Sequence, residues 1–323
     1  MRRKNLLNAK ERENARPQIV ETGQRTIVDC LRLFLNDSKL RNVRPATIRY
    51  YEREITYFHR DIEVTFVEEV TFDVIKKGIK IMRNHNLKTS TINTRLRAIR
   101  AFYNHLFDYK VIKYNPVEHL KLLRDREPII ETYSNNQIRQ LLATCDLTTF
   151  VGLRDYTIIY LLFDTGVRLS EVAGIEIDDV YFAEGVIRIR RTKNNFERFV
   201  PLQKTLARQL KSYLKVRGIT ECNTLFVTLD GTPLTNRQYQ NRFTHYGNLA
   251  KITNVRNSPH TMRHTFAKNY IQNGGGAFDL MRIMGHTSME MTKRYVRLFG
   301  TELNEKHRES SPLENLYKGG NKK

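Results

Sequence analysis

Apolar residues recur at helical spacing along most of this 323-residue chain, and they alternate with a period of two only between Val186 and Val200. A spacing of three or four residues places side chains on one face of an α-helix, whereas a period of two places them on one face of a β-strand. Residues 192–195 separate two such alternating runs and have the composition of a turn. We therefore predict a mainly α-helical protein with one small antiparallel β-sheet.

A short charged segment that ends in Pro128 divides the chain, as linkers between domains commonly do. The chain length suits about two domains, each of which can bury its own core. The expected parts are a basic N-terminal tail at residues 1–22, a helical domain at 23–123, a linker at 124–132, a second domain at 133–300 and a C-terminal tail at 301–323.

The first of these domains has the helical signals of a small bundle. Thr26 is placed to cap one helix, Pro45 to start a second and Thr71 to open a third. Residues 89–91, which are Thr, Ser and Thr, are placed to cap a fourth helix. We predict that these four helices pack as a bundle.

The fourth predicted helix has two contrasting faces. Its apolar stripe consists of Ile92, Leu96, Ile99, Tyr103 and Leu106. The opposite face carries Arg97, Arg100 and Asn104. Such a face either lies in a DNA groove or is an ordinary solvated surface, and the sequence leaves both interpretations open.

The net charge is strongly positive, at +21 with 55 Lys+Arg against 34 Asp+Glu. A cut near Leu123 divides it evenly: residues 1–123 hold 25 Lys+Arg and 14 Asp+Glu, and residues 124–323 hold 30 and 20. Self-repulsion of this size is best explained by a polyanionic partner, and the even division indicates that both domains contact it. The alternative is a generally solvated basic surface.

Several protein classes conflict with the sequence. It has no stretch of about 18 or more apolar residues, so we expect no transmembrane helix, and its first residues lack the apolar core of a signal peptide. The three cysteines are far apart and provide neither a disulfide framework nor a Cys-x-x-Cys metal site. We therefore set aside a membrane protein, a secreted scaffold and a zinc finger, and expect a cytoplasmic protein.

The second domain concentrates its chemically informative residues in four short segments. In the first, Arg168 follows a glycine-marked helix end and needs an anion to face, either a phosphate or the nearby carboxylate of Glu171. In the second, Lys193 lies at the tip of the predicted hairpin, where it either donates a proton to a substrate oxygen or is merely solvated.

The third and fourth segments supply further polar groups. His260 and Arg263 follow a Ser-Pro helix start and lie three residues apart, which pairs a titratable group with a permanent cation on one helix face. A zinc site built on His260 and His264 is the alternative, but no cysteine or His-Glu-x-x-His frame supports it. In the fourth segment, His286 separates two helices and Tyr295 lies about two turns into the second.

Together the four segments resemble the signature of the tyrosine recombinase (phage integrase) family. The matching pieces are Thr-Gly-Val-Arg-Leu-Ser-Glu at 165–171, a hairpin lysine followed by Glu-Arg-x-x-Pro-Leu, Pro-His-Thr-Met-Arg-His-Thr-Phe-Ala at 259–267, and Met-Gly-His-Thr-Ser followed by Thr-Lys-Arg-Tyr at 284–295. They occur in the family's order and approximate spacing, and they span residues 154–296.

The resemblance implies roles for each matched residue. Arg168 and Arg263 would grip the non-bridging oxygens of a scissile phosphate, and His286 would donate a further hydrogen bond. His260 would exchange a proton with the tyrosine or help to hold the phosphate. Lys193 would protonate the departing 5′ oxygen while Tyr295 attacks to form a 3′-phosphotyrosyl link. Because that link keeps the bond energy, no ATP, metal or other cofactor would be required.

The resemblance also implies an architecture and an assembly. A helical core-binding domain and an α-rich catalytic domain would form a C-shaped clamp around double-stranded DNA. A homotetramer on two DNA sites would exchange strands through a Holliday junction for integration, excision or resolution of a DNA element, with accessory DNA-bending proteins compatible with this scheme. We expect no separate arm-binding domain, because the segment before the first domain is too short for one. Residues 302–317 would either form a helix that docks in a neighbouring subunit or remain a solvated tail.

Two other functions stay open at this point. A type IB topoisomerase-like enzyme would use the same chemistry to relax one duplex. A non-catalytic DNA-binding regulator would use the same scaffold, although it would need neither the phenol nor the lysine beside a phosphate.

Overall fold

The computed structural model of the chain describes residues 25–125, 130–190 and 197–299. These residues belong to two compact units, Met1–Pro128 and Ile129–Lys323, which are described separately below. The mainly helical fold with one small antiparallel sheet is confirmed. No helix within the described ranges is long and apolar enough to cross a membrane.

The first unit is a helical bundle. Its helices are α1 (Ile27–Leu40), α2 (Pro45–Ile62), α3 (Phe72–Asn84) and α4 (Thr89–Asp108), with a short 3₁₀ turn at Val67–Glu69. The hydroxyl of Thr26 accepts a hydrogen bond from the Asp29 amide at 3.1 Å, and Thr71 caps α3 in the same way. These two caps and the proline at the start of α2 are confirmed.

The start of α4 corrects one prediction. Residues 89–91 do not cap the helix but form its first turn, because the amide of Thr91 already donates to the carbonyl of Lys88 at 2.8 Å. The predicted apolar stripe of α4 is buried throughout. Burial extends further than predicted, to Arg95, whose guanidinium pairs with Glu54 and Asp61.

The face of α4 that carries Arg97, Arg100 and Asn104 is exposed, as predicted. The side-chain oxygen of Asn104 accepts a hydrogen bond from the side-chain amide of Asn115 at 2.9 Å. This bond holds one of the three residues in place while the other two extend into solvent. The observed exposure fits both a DNA-facing and a merely solvated surface.

The second unit combines helices with a three-stranded sheet. Its helices are α5 (Asn135–Ala143), α6 (Phe150–Thr165), α7 (Leu169–Val172), α8 (Lys204–Arg217), α9 (Asn236–Leu249), α10 (Pro259–Gln272), α11 (Ala277–Met284) and α12 (Met289–Phe299). The strands are β1 (Val180–Tyr181), β2 (Val186–Ile189) and β3 (Arg198–Pro201), paired antiparallel in the order β1-β2-β3. The sequence predicted only the last two strands, because β1 is too short to show alternation.

Several predictions concern residues outside the described ranges. Lys193 and the rest of the predicted turn at 192–195 are among them. So are the basic tail at 1–22, part of the linker at 124–132, and the docking segment at 302–317. The base of the hairpin is described, and there the buried carboxylate of Asp179 accepts a hydrogen bond from Arg188 at 2.9 Å.

The core of the second unit positions the segments singled out above. The apolar helix α6 packs against α10 and ends at Gly166, which has a left-handed φ of +58°. A Cβ atom on Gly166 would lie 2.2 Å from Cδ1 of Phe266 on α10, so glycine is required both by the conformation and by this close approach. Ser258 caps α10 by accepting from the amide of Thr261 at 3.2 Å, as the Ser-Pro signal predicted.

Candidate active site

Arg168 is the residue immediately before α7, and it is half-buried. Its guanidinium donates to the carboxylate of Glu171 at 3.0 Å and to the carbonyl of Gly285 at 3.0 Å. The backbone amide of Arg168 donates to the same carboxylate at 2.8 Å. The Arg168–Glu171 pair anticipated from the sequence therefore exists. The bond to the Gly285 carbonyl connects the arginine to the turn between α11 and α12.

Arg198 on β3 is a site residue that the sequence reasoning did not single out. Its guanidinium makes two hydrogen bonds to the carboxylate of Glu171, at 3.0 and 2.7 Å, and donates to the carbonyl of Ile283 at 2.9 Å. Arg198 lies two residues before the buried Val200, so strand alternation could have placed it on the inner face. Arg198 therefore connects β3 to α11 directly, and to Arg168 through the carboxylate of Glu171 that both arginines share.

Glu171 is thus a buried carboxylate shared by two arginines. Burial alone would raise its pKa, but the hydrogen bonds and charges of Arg198 and Arg168 outweigh burial, and the net effect is a lowered pKa. A carboxylate whose pKa is lowered on folding adds stability above its ordinary pKa and loses that contribution as the pH falls through the lowered value.

We expect Glu171→Gln to lower the free energy of unfolding at pH 7 by about 3 kcal/mol, because it leaves two half-buried guanidinium groups without their anion. Thermal unfolding should begin roughly 6–12 °C lower. The difference in the free energy of unfolding between wild type and variant should be largest above about pH 5 and should become smaller at lower pH. Glu221→Gln, at an exposed position of the same unit, is the control and should unfold at the same temperature as the wild type. Equal melting of Glu171→Gln would show that the two arginines need no buried counter-ion.

Arg263 lies on α10 and is buried, with 5% of its surface exposed. One terminal nitrogen donates to the carbonyl of Gly166 and the other to the carbonyl of Met284 at 2.8 Å. Burial, followed by the charge of Arg168, lowers its pKa to about 10, so the side chain keeps its charge at neutral pH. The two carbonyls fix the cation between the ends of α6 and α11.

The two histidines of α10 differ in their surroundings. His260 is exposed, and its pKa is lowered by partial desolvation and by the charge of Arg263. From the sequence, His264 has a role only in the alternative zinc site, yet its Nδ1 lies 2.7 Å from the hydroxyl oxygen of Tyr295 on α12. The two imidazole rings lie 4.2 Å apart between centroids. The partner of Tyr295 could not be identified from the sequence, because it depends on how α10 packs on α12.

His286 and Tyr295 stand side by side. The backbone turns at Gly285, which has a φ of +63°. Nδ1 of His286 shares a hydrogen bond with the hydroxyl of Thr292 at 2.8 Å. Its ring is nearly parallel to that of Tyr295, with an interplanar angle of 8° and centroids 6.2 Å apart. A Cβ atom on Gly285 would lie 2.8 Å from Cζ of Arg198, so this turn also depends on glycine.

Tyr295 is buried, with 6% of its surface exposed. Burial raises the pKa of its phenol, whereas the charges of Arg263, Arg294 and Arg168 oppose that rise. The structure groups four of the six catalytic residues predicted from the sequence around the turn between α11 and α12: Arg168, Arg263, His286 and Tyr295. A fifth, His260, lies beside His264, with ring centroids 4.2 Å apart. In the part of the chain that the structure describes, no group of three His, Cys, Asp or Glu residues is placed to hold a metal ion.

The arrangement suits chemistry at a phosphate. Fixed guanidinium groups stabilise the negative charge that concentrates on phosphorus during substitution, and a phenol beside them is a nucleophile once its proton leaves. Comparison with known proteins identifies the class of reaction. Residues 131–302, more than half of the chain, match the family model described as "Phage integrase family". The chain belongs to this family, the tyrosine recombinases.

Curated relatives of this recombinase cover nearly the whole chain. It is 27% identical to the tyrosine recombinase XerC of Oceanobacillus iheyensis over 285 residues, which are 85% of this chain and 93% of the relative. It is 28% identical to the tyrosine recombinase XerD of Staphylococcus haemolyticus, with 82% and 92% covered. The protein is accordingly a tyrosine-type site-specific recombinase.

Solved structures share the fold of this recombinase at low sequence identity. The Tn1549 transposon integrase in complex with a circular intermediate DNA has a TM-score of 0.69 and 24% identity, and the match covers 82% of this chain and 94% of that one. A lambda integrase dimer bound to a COC′ core site has a TM-score of 0.71 and 14% identity, with 84% and 77% covered. The described helices and sheet are therefore those of integrase folds.

Proposed function

We propose that this recombinase cleaves and rejoins double-stranded DNA at specific sites, with Tyr295 as the nucleophile. The observation that carries the proposal is the setting of the Tyr295 hydroxyl, which is buried, bonded to a histidine and next to the helix that bears Arg263. The net charge of +21 supports a polyanionic substrate. The relatives' names and the DNA complexes of the structural neighbours support the same conclusion.

Arg168 and Arg263 are proposed to hold the non-bridging oxygens of the scissile phosphate. Each guanidinium has five N–H donors, and the hydrogen bonds described above engage one or more of them with the protein. The donors that remain can face a phosphate, while the protein bonds prevent the side chain from moving away. This preorganisation favours the transition state, in which the negative charge is greatest.

The proton transfers are assigned to the remaining predicted residues. Lys193 is proposed to protonate the 5′ oxygen as it leaves, His286 to donate to the phosphate, and His260 to hold the phosphate or exchange a proton with the tyrosine. Arg188 and Arg198 lie on the two strands that lead to residue 193, and both are held by buried carboxylates. These ion pairs hold the two strands in place on either side of the predicted turn that bears Lys193.

The covalent step balances without an added reagent. The Tyr295 oxygen bonds to phosphorus as the bond to the 5′ oxygen breaks, and the 3′-phosphotyrosyl link retains the phosphodiester's energy. A 5′ hydroxyl from another strand then attacks that link and releases the tyrosine. Two rounds of exchange pass through a Holliday junction, and the scheme needs neither ATP nor a metal ion.

The assembly extends the proposal beyond one protomer. We assign DNA binding to residues 23–123, with Arg97, Arg100 and Asn104 facing the duplex, and catalysis to residues 133–300. A homotetramer on two sites in the cytoplasm would carry out the exchange, with the segment 302–317 docking in a neighbouring subunit.

A plasmid assay tests this function. Footprinting on the DNA that flanks the gene defines the site, and a supercoiled plasmid then receives two copies of it. We expect inversion or deletion between the copies, depending on their relative orientation. Relaxation of the supercoils without exchange would favour a topoisomerase-like enzyme, and binding without either product would favour a regulator.

A further inference from the structure

Nδ1 of His264 lies 2.7 Å from the hydroxyl oxygen of Tyr295, within hydrogen-bond distance. His264 is half-buried and Tyr295 is buried, so the pair is largely withdrawn from water. Their rings lie 5.6 Å apart between centroids, which leaves the two polar atoms facing each other. His260, four residues earlier on α10, is exposed, and its ring centroid lies 4.2 Å from that of His264.

Burial and the surrounding positive charges together set the protonation of His264. Arg263 and His260 face it from its own helix, and Arg294 faces it from α12. Burial is the largest effect and these positive groups add to it, so that the pKa of His264 falls to about 4. At neutral pH the imidazole is therefore uncharged. We assign its proton to Nε2, which leaves Nδ1 free to accept the hydrogen bond of the phenol.

We propose that His264, rather than the exposed His260, takes the proton from Tyr295 when the tyrosine attacks the scissile phosphate. The Oη–H bond breaks as the Oη–P bond forms, and the proton goes to Nδ1 of His264. When the strand is rejoined, the same nitrogen returns the proton to the phenolate. The proposal rests on the function proposed above, because it requires Tyr295 to be the nucleophile.

The surroundings of His264 also explain why the transfer needs DNA. An imidazole with a pKa of about 4 cannot hold the proton of a phenol whose pKa is raised above its usual 10. A phosphate between Arg168 and Arg263 brings negative charge that offsets these cations, and the charge grows as the phosphorane forms. His264 thus becomes a stronger base at the moment of attack. The free protein keeps its tyrosine protonated and inert.

Chemical rescue in the full-length protein tests the proposal. The substrate is a nicked duplex that carries the footprinted site and traps the covalent adduct. At pH 8 and saturating protein, His264→Ala should form adduct about 100-fold more slowly than the wild type. Added imidazole should restore at least about a tenth of the lost rate by supplying the missing base. His245→Ala, at an exposed histidine of α9 that has no proposed role in the site, should form adduct at the wild-type rate, and added imidazole should not change that rate.

A second variant separates proton transfer from packing. His264→Asn can hydrogen-bond to the phenol but cannot take up its proton, so it should stay as slow as His264→Ala. A wild-type rate for His264→Asn, or a slow His264→Ala that imidazole fails to accelerate, would overturn the proposal. Adduct formation by Tyr295→Phe would instead overturn the proposed function itself. The two failures are therefore distinguishable in one assay.

Discussion

Tyr295→Phe is expected to bind its DNA site as tightly as the wild type and to form no covalent adduct with a nicked duplex. The substitution removes one oxygen atom, and that oxygen is the proposed nucleophile. Rates of adduct formation should fall by roughly 10⁴-fold or more, as they do when a nucleophile is removed from a working site. A denaturing gel measures the adduct, and a mobility-shift assay measures binding.

The phenylalanine variant should keep its structure. The ring of Tyr295 packs in the small cluster formed by α10, α11 and α12, and phenylalanine fills the same volume. Loss of the hydrogen bond to His264 should cost only about 1 kcal/mol of folding free energy. Tyr270→Phe is the matched control, because Tyr270 packs against the same cluster yet has no proposed chemical role. An adduct that persists in Tyr295→Phe would move the nucleophile to another residue.

The parts of the site that local sequence signals could predict are the ones set by the chain's own backbone. Gly166 marks the end of α6 because few other residues adopt its φ, and Ser258 with Pro259 marks the start of α10 because both suit a helix N-terminus. Arg168 and Arg263 lie close to these landmarks along the chain, and in the structure both donate to backbone carbonyls.

The parts that sequence could not predict depend on packing between distant segments. Arg198 is separated from Glu171 by 27 residues, and nothing local shows that the two meet. His264 and Tyr295 are 31 residues apart. The resemblance gave a proton exchange with the tyrosine to His260, and only the packing of α10 on α12 shows that His264 is bonded to it. Short strands such as β1 escape detection for another reason, since two residues cannot display a period.

Arg263→Lys tests whether the fixed geometry of this cation matters as well as its charge. Both terminal nitrogens of the guanidinium are bonded to carbonyls, those of Gly166 and Met284. A lysine ammonium is a point charge that cannot reach both carbonyls and a phosphate together. We expect adduct formation at saturating protein to slow by about 10³-fold, because a preorganised donor to the phosphate is lost. DNA affinity should change little, since many other basic residues contribute to it.

The same variant should also be less stable, by about 2 kcal/mol, because one ammonium group cannot replace both guanidinium donors to the two buried carbonyls. Denaturant unfolding at pH 7 measures this loss, and Arg237→Lys at an exposed position of α9 serves as the control for both readouts. A variant that unfolds earlier yet forms adduct at the wild-type rate would make Arg263 a purely structural strut between α6 and α11. The proposed grip on the phosphate would then rest on Arg168 alone, and the assignment of Arg263 to the substrate would have to be withdrawn.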